Sequence, residues 1–211
     1  MLSRLVLVLV LLSFTSVILS QGRIDQRKFK AEFLIGGNFS QLDGDGLSGF
    51  NKIGLRLGPR ILYAFANDKG LALSMQYDQK GSASGVFGAG GLTRRLSLNY
   101  ISIPIGAYFG SWWDEDYSDH RVKFLVSVIP CRLINVSSTN PDFGSNQDRY
   151  RDWDLSVSLG ISYALGRRIS ADLGIERSLL QIYQPPNQDS RALQSYLVSV
   201  QLSYKLYQPG S

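Results

Sequence analysis

Cysteine is nearly missing from this chain: Cys131 stands alone among 211 residues. That excludes an internal disulfide and any cysteine-built metal cluster. A single cysteine with no reactive neighbours reads as a small buried or lipid-facing hydrophobe. Histidine is equally scarce, His120 being the only one, so imidazole-based catalysis has one candidate at most, although carboxylate pairs could still serve. Past the first twenty residues no apolar run approaches the ~20 residues of a helical membrane span. No amphipathic helix is convincing there either. Charge of one sign does not dominate: 22 Lys and Arg stand against 17 Asp and Glu. The basic residues are scattered, with no stripe and no nucleic-acid motif, so nucleic acid is not an expected partner. At 44% hydrophobic the chain is still too apolar to be disordered.

What is present is aromatic residues, 11 Tyr, 10 Phe and 3 Trp, together with 21 Gly. This mixture suits strands and tight turns. The chain opens with MLSRLVLVLVLLSFTSVILSQ. Arg4 supplies a positive start, Leu5 to Leu12 an unbroken apolar run, and Ser13 to Ser20 a gradation into small and apolar residues. The segment reads as a cleaved signal peptide over 1–20, with cleavage near Ser20–Gln21. A short periplasmic segment, 21–28, and one domain, 29–208, complete the expected organisation.

Period-2 alternation recurs through that domain, the signature of half-buried strands. In 152–165, Trp153, Leu155, Val157, Leu159, Ile161, Tyr163 and Leu165 share one face. Asp152, Asp154, Ser156, Ser158, Gly160, Ser162 and Ala164 share the other. The C-terminal segment repeats the pattern, with Tyr196, Val198, Val200, Leu202, Tyr204 and Leu206 opposite Ser195, Ser199, Gln201, Ser203 and Lys205; Leu197 is the exception. Six further segments fit: 30–39, 52–65, 71–80, 96–109, 122–136 and 168–182. Several exceed the 5 or 6 residues usual in globular proteins and match the roughly 9–11 that a tilted membrane strand needs. Aromatics gather near strand ends, at Phe39, Tyr63, Phe65, Tyr77, Tyr108, Phe109, Trp153, Tyr163, Tyr196, Tyr204 and Tyr207, as interfacial girdles require. The expected fold is therefore all-β: an eight-stranded antiparallel up-and-down transmembrane β-barrel in the outer membrane.

Loop lengths support the same topology. External connections at 40–51, 81–95, 137–151 and 183–193 are long. Internal turns at 66–70 and 166–167 are short, whereas 110–121 is anomalously long. The lumen receives Lys30, Glu32, Arg56, Arg60, Asp78, Lys80, Lys123, Asp154, Asp172, Glu176 and Lys205. Eight strands leave room only for side chains, and buried charges need partners. A packed, ion-paired interior is expected over a narrow ion channel. Pro104 and Pro130 fall inside strands, where bulges or bends are expected.

No catalytic, cofactor or metal site emerges. His120 falls in the anomalous internal turn, away from the outer rim. Asp152 and Asp154 point the same way along one strand and read as lumen salt bridges. Asp43-Gly44-Asp45-Gly46 is a fragment of a calcium loop without its later ligands, and reads as a hairpin turn. Asp114, Glu115, Asp116 and Asp119 beside Trp112 and Trp113 read as interfacial anchors followed by a solvated acidic turn. The glycine-rich 85–91 lacks the context of a phosphate loop.

Three stretches carry a family resemblance. They are Gly36-Gly37-Asn38-Phe39-Ser40-Gln41 with the following Asp43-Gly44-Asp45-Gly46 and Gly49-Phe50-Asn51-Lys52; Gln79-Lys80-Gly81-Ser82; and Leu98-Asn99-Tyr100-Ile101-Ser102-Ile103-Pro104. In this order they resemble the PorT-like outer-membrane β-barrel family of the Bacteroidota. The resemblance implies an outer-membrane barrel and makes Pro104 a family feature. Some members of that family are tied to type IX secretion and gliding. It supplies no catalytic residues to transfer.

The reading is thus a non-enzymatic structural or accessory component of the cell envelope, with a link to protein secretion implied by the resemblance. Its expected partners are outer-membrane lipid and envelope or secretion-machinery proteins. A surface barrel whose external loops capture a ligand or partner is the alternative. A barrel enzyme lacks a base at the outer rim. A lipocalin-like barrel needs the two faces exchanged.

Overall fold

A computed structural model of the chain describes residues 28–47, 49–84, 94–115, 119–139, 143–183 and 193–207. The expected leader, all but the last residue of the segment 21–28, and the glycine-rich 85–91 lie outside the described residues. Ten strands follow in order: β1 (Phe29–Asp43), β2 (Lys52–Ala64), β3 (Lys69–Ser74), β4 (Gln76–Ala83), β5 (Arg95–Ser102), β6 (Ile105–Asp114), β7 (Asp119–Ser138), β8 (Trp153–Ala164), β9 (Ile169–Ser178) and β10 (Gln194–Tyr207). Strands β3 and β4 both pair with β2, and β5 and β6 both pair with β7. Each couple is one stave with a break, so ten segments make eight staves. All pairings are antiparallel, and β10 returns to β1 in register from Glu32↔Lys205 to Asp43↔Gln194. The sheet is closed and has no free edge along its wall.

The two breaks have a common cause. Pro104 separates β5 from β6 and has no N–H for the ladder. Across that break the Ile103 N–H donates to Pro130 O at 2.9 Å. The Pro104 carbonyl in turn accepts from Ser74 N at 2.9 Å, and the Pro59 carbonyl accepts from Met75 N at 3.1 Å. Three prolines thus serve as acceptors along one line of irregularity. The backbones crowd there: a Cβ on Gly58 would lie 2.0 Å from Met75 O. Pro104 behaves as the sequence predicts. Pro130 does not bend its strand, because it sits opposite the break and stays in register with Leu155. The bulge in β7 falls instead between its pairings at Asn135 and Leu133.

The short internal turns form as expected. Phe65 and Ala66 donate to Lys69 O at 3.2 Å, and Leu165 and Gly166 donate to Ile169 O. The internal turn expected at 110–121 is shorter than that: strands β6 and β7 extend into it from both sides, pairing Trp113 with His120 and Asp114 with Asp119. Trp112 takes φ 56° where the pairing skips from Ser111↔Val122 to Trp113↔His120. At the other end β1 continues to Asp43, and Gly44 and Gly46 adopt positive φ to turn the chain. The Asp45 carboxylate accepts Leu47 N–H at 2.8 Å there. This is a hairpin turn, as the sequence suggests.

The wall is inside out. Its outward positions are apolar and exposed, among them Ile35, Leu55, Leu73, Ile105, Val126, Leu159, Ile175 and Leu202. Its inward positions are buried and polar, among them Glu32, Arg60, Asp78, Lys80, Asp172 and Glu176. Phe39, Phe65, Phe109, Trp153, Tyr163, Tyr204 and Tyr207 are exposed on the outside, where girdles belong. Tyr108 departs from the expected set: it lies inside, 5% exposed, against Leu62 and Ala72.

Candidate functional site

Strict alternation on eight staves sends one side chain in two into a lumen wide enough only for those side chains. The barrel's chemistry is therefore its filling, in three levels. The middle level is an ion network. Arg60 on β2 binds Glu32 on β1 at 2.6 Å and Asp172 on β9 at 3.1 Å. Arg56 bridges Asp78 at 3.3 Å and Glu176 at 3.0 Å, and its Nε donates to Gln76 at 2.7 Å. Lys80 meets Glu176 and lies 3.5 Å from the Cys131 sulfur. The Asp78 carboxylate also accepts from Asn38 and Ser102, and Asp154 accepts from Ser178 and Ser156. A cavity of about 70 Å³ lies at this level beside Arg56, Arg60, Gln76 and Asp172, which is room enough for water.

The internal mouth is closed by one carboxylate. Asp119, 1% exposed, accepts from Lys30 at 2.8 Å, Lys123 at 2.7 Å and Lys205 at 2.9 Å. The extended β6–β7 hairpin carries it there. Trp112 and Trp113 on that hairpin are more than half exposed, with Arg121 over the Trp112 ring and bound to Asp114 at 2.7 Å. His120 lies edge-on to Trp113, ring centroids 5.1 Å apart.

The external level reverses the polarity of the wall. Leu42, Leu96, Leu98, Tyr100, Cys131, Leu133 and Val136 form a buried apolar core inside the barrel. On the same staves Ser97, Asn99, Arg132, Asn135 and Ser137 point away from it. The external connections complete this core with Phe143, Tyr150, Ile182, Tyr183 and Leu193. Tyr150 and Tyr183 form a β-bridge, with rings 5.2 Å apart, and Phe143 meets Tyr183 edge-on at 5.3 Å. Ile182 accepts from Arg151 and donates to Leu193, at 2.7 and 2.9 Å, which stitches two connections together. Burial in this cap pushes the Tyr150 phenol up to about 12.

All eleven lumen residues expected from the sequence point inward; ten of them form ion pairs at the middle level and the internal mouth, and Asp154 accepts from Ser156 and Ser178. Lys123 and Lys205 reach across to Asp119, and Lys30 joins them. Asp119 is absent from the expected set, because the sequence places it in a turn before a strand that begins at Val122. Two more steps of the same alternation, from Lys123 through Arg121, reach it. The acidic turn is corrected accordingly: Asp119 is buried, not solvated. Lys52 was also missed; it is buried at the external end and donates to Ile53 O at 3.0 Å. Asp152 and Asp154 do not share a direction. Asp154 is buried, whereas Asp152 is exposed and binds Arg132 at 3.2 Å on the outside.

An apolar belt outside and paired charges inside are what a bilayer demands of a closed sheet. The chain is a transmembrane β-barrel of the outer-membrane type. No family model and no curated protein sequence matches it. Solved outer-membrane barrels are similar in fold. Ail, the attachment invasion locus protein of Yersinia pestis, solved with the heparin analogue sucrose octasulfate, is 15% identical. That match covers 85% of this chain and 99% of that one, with a TM-score of 0.47. Neisserial surface protein A is 14% identical over 84% and 97%, TM-score 0.47. OprG from Pseudomonas aeruginosa is 13% identical over 88% and 100%, TM-score 0.43. The membrane assignment rests on the polarity of the two faces rather than on these likenesses.

Proposed function

We propose that this protein is a closed, non-enzymatic outer-membrane barrel that serves as a structural or accessory component of the cell envelope. One observation carries the reading: side chains obstruct the lumen at each of its three levels. Asp119 and three lysines occupy the internal mouth, paired charges the middle, and an apolar core the external end. A solute would have to break ion pairs in low dielectric, where uncovering one partner costs about 3–5 kcal/mol. The only histidine sits at the mouth opposite the external rim, so rim chemistry has no imidazole base. The resemblance to PorT-like barrels of the Bacteroidota supports placing it with envelope machinery, protein secretion included. The expected signal peptide, the segment 21–28 and the barrel 29–208 belong to the same proposal.

A second reading is favoured by the external level. An apolar core beneath a stitched cap makes the outer end a rigid platform, suited to presenting a binding surface to a ligand or partner. Reconstitution in a planar bilayer, with a heat-dependent mobility shift on gels as the check of folding, tests the closed barrel. A folded protein without steady conductance supports it, and stable ohmic conductance overturns it. Affinity capture with substitutions in 143–150 then separates the two roles. A binder loses its partner, whereas an accessory component keeps partners held by its internal or lipid-facing side.

A further inference from the structure

The outer wall carries an apolar groove of about 530 Å³ across β7 to β10. This lies within the roughly 300–1,000 Å³ of small-molecule sites. Val128, Val157, Ile175 and Val198 line it, one from each stave, and Phe50 from the β1–β2 connection bounds it. Since β1 stands next to β10, Phe50 reaches past its own stave to do so. Arg177 and Tyr196 form the external lip. They are direct register partners, and the Arg177 guanidinium lies 5.1 Å from the centroid of the Tyr196 ring.

Arg177 differs from Arg132, the other arginine stacked on an aromatic of this face. Arg132 lies over Trp153 and is neutralised by Asp152 at 3.2 Å. Arg177 has no carboxylate within ion-pair distance among the described residues. Its guanidinium is thus held beside a ring on the neighbouring strand, and the residue is exposed. A guanidinium fork matches a phosphate through paired, charge-assisted hydrogen bonds. Below it the groove is apolar and opens to the bilayer, where an acyl chain is the occupant at hand.

We propose that this groove is a specific site for one anionic, phosphate-bearing membrane lipid, its acyl chain between Phe50 and the β8–β10 wall and its phosphate on Arg177. The proposal rests on the membrane reading above and would make a bound lipid part of the external surface.

Native mass spectrometry of the full chain, titrated with phosphatidylglycerol or phosphatidylcholine, tests it. The wild type is expected to retain one phosphatidylglycerol about tenfold more tightly than phosphatidylcholine, whose choline cation offsets the phosphate charge that Arg177 would bind. Arg177→Gln removes that preference, Ile175→Trp fills the groove and lowers binding of both lipids, and Arg132→Gln leaves the preference intact. Each variant is first checked for its heat-dependent mobility shift. Equal preference in the wild type and Arg177→Gln overturns the proposal. So does an equal loss in Arg132→Gln, which would mean diffuse attraction around the barrel. A wild type that shows no shift and does not partition into membranes overturns the membrane reading, and the site with it.

Discussion

Asp119 accepts the ammonium group of Lys205 at 2.9 Å across 86 residues of sequence, joining the extended hairpin to the last strand. The same carboxylate holds Lys30 and Lys123. Asp119→Asn would leave three ammonium groups crowded at one mouth, with no compensating charge. A loss of about 3 kcal/mol is expected, the usual cost of breaking a buried pair. The check is the temperature at which the folded gel band disappears, which should fall clearly. Restoring it with a second substitution, Lys205→Met, would show that charge rather than packing is the cause.

Arg60 links Glu32 on one side to Asp172 on the other, and so ties β1, β2 and β9 across the lumen. Arg60→Met and Glu32→Gln should each be costly alone. Combined, they should cost less than their sum, with a coupling of about 0.5–3 kcal/mol. Urea unfolding in lipid vesicles measures all three. Strict additivity would mean that the pair does not act as a unit.

The barrel wall was legible because each stave repeats one simple rule. In Trp153–Ala164 apolar residues alternate with Asp154, Ser156, Ser158, Gly160, Ser162 and Ala164, a run longer than strands of soluble proteins usually keep. The same rule failed at Asp119, where consecutive acidic residues imitate a turn. A short-range signal, acidic composition, overrode the alternation that continued beneath it. The external core was illegible for another reason. Leu96, Leu98 and Leu133 read as one more apolar face, and only pairing with neighbouring staves reveals that this face points inward. Tyr150 and Tyr183 lie in segments with no periodicity at all, and their meeting is a product of tertiary folding.

Tyr183 packs between Tyr150 and Phe143 in the cap. Tyr183→Ala should release the cap without unfolding the wall, because the ion networks lie in other levels of the lumen. Hydrogen exchange is expected to accelerate in 143–152 and 179–183 while β8 and β10 stay protected. The local cost should be about 3–5 kcal/mol, the range for deleting a buried aromatic. Uniform acceleration through every strand would show instead that the cap and wall unfold together.

The reversal of polarity along the staves gives the sharpest test of where the bilayer lies. Leu159 points outward in the apolar belt, 55% exposed, whereas Asn99 points outward beside the external core. An arginine at the bilayer midplane of a barrel costs about 2–4 kcal/mol, falling to about 0–1 near the interface. Leu159→Arg should therefore destabilise the protein strongly in vesicles, and Asn99→Arg hardly at all. In a lipid of longer acyl chain the Asn99→Arg variant should weaken, as the thicker bilayer rises toward that level. If the two substitutions cost the same, the wall is not divided into a lipid-facing belt and an external level. The inner core of Leu96, Leu98 and Leu133 would then be part of the membrane-spanning lumen rather than a platform above it.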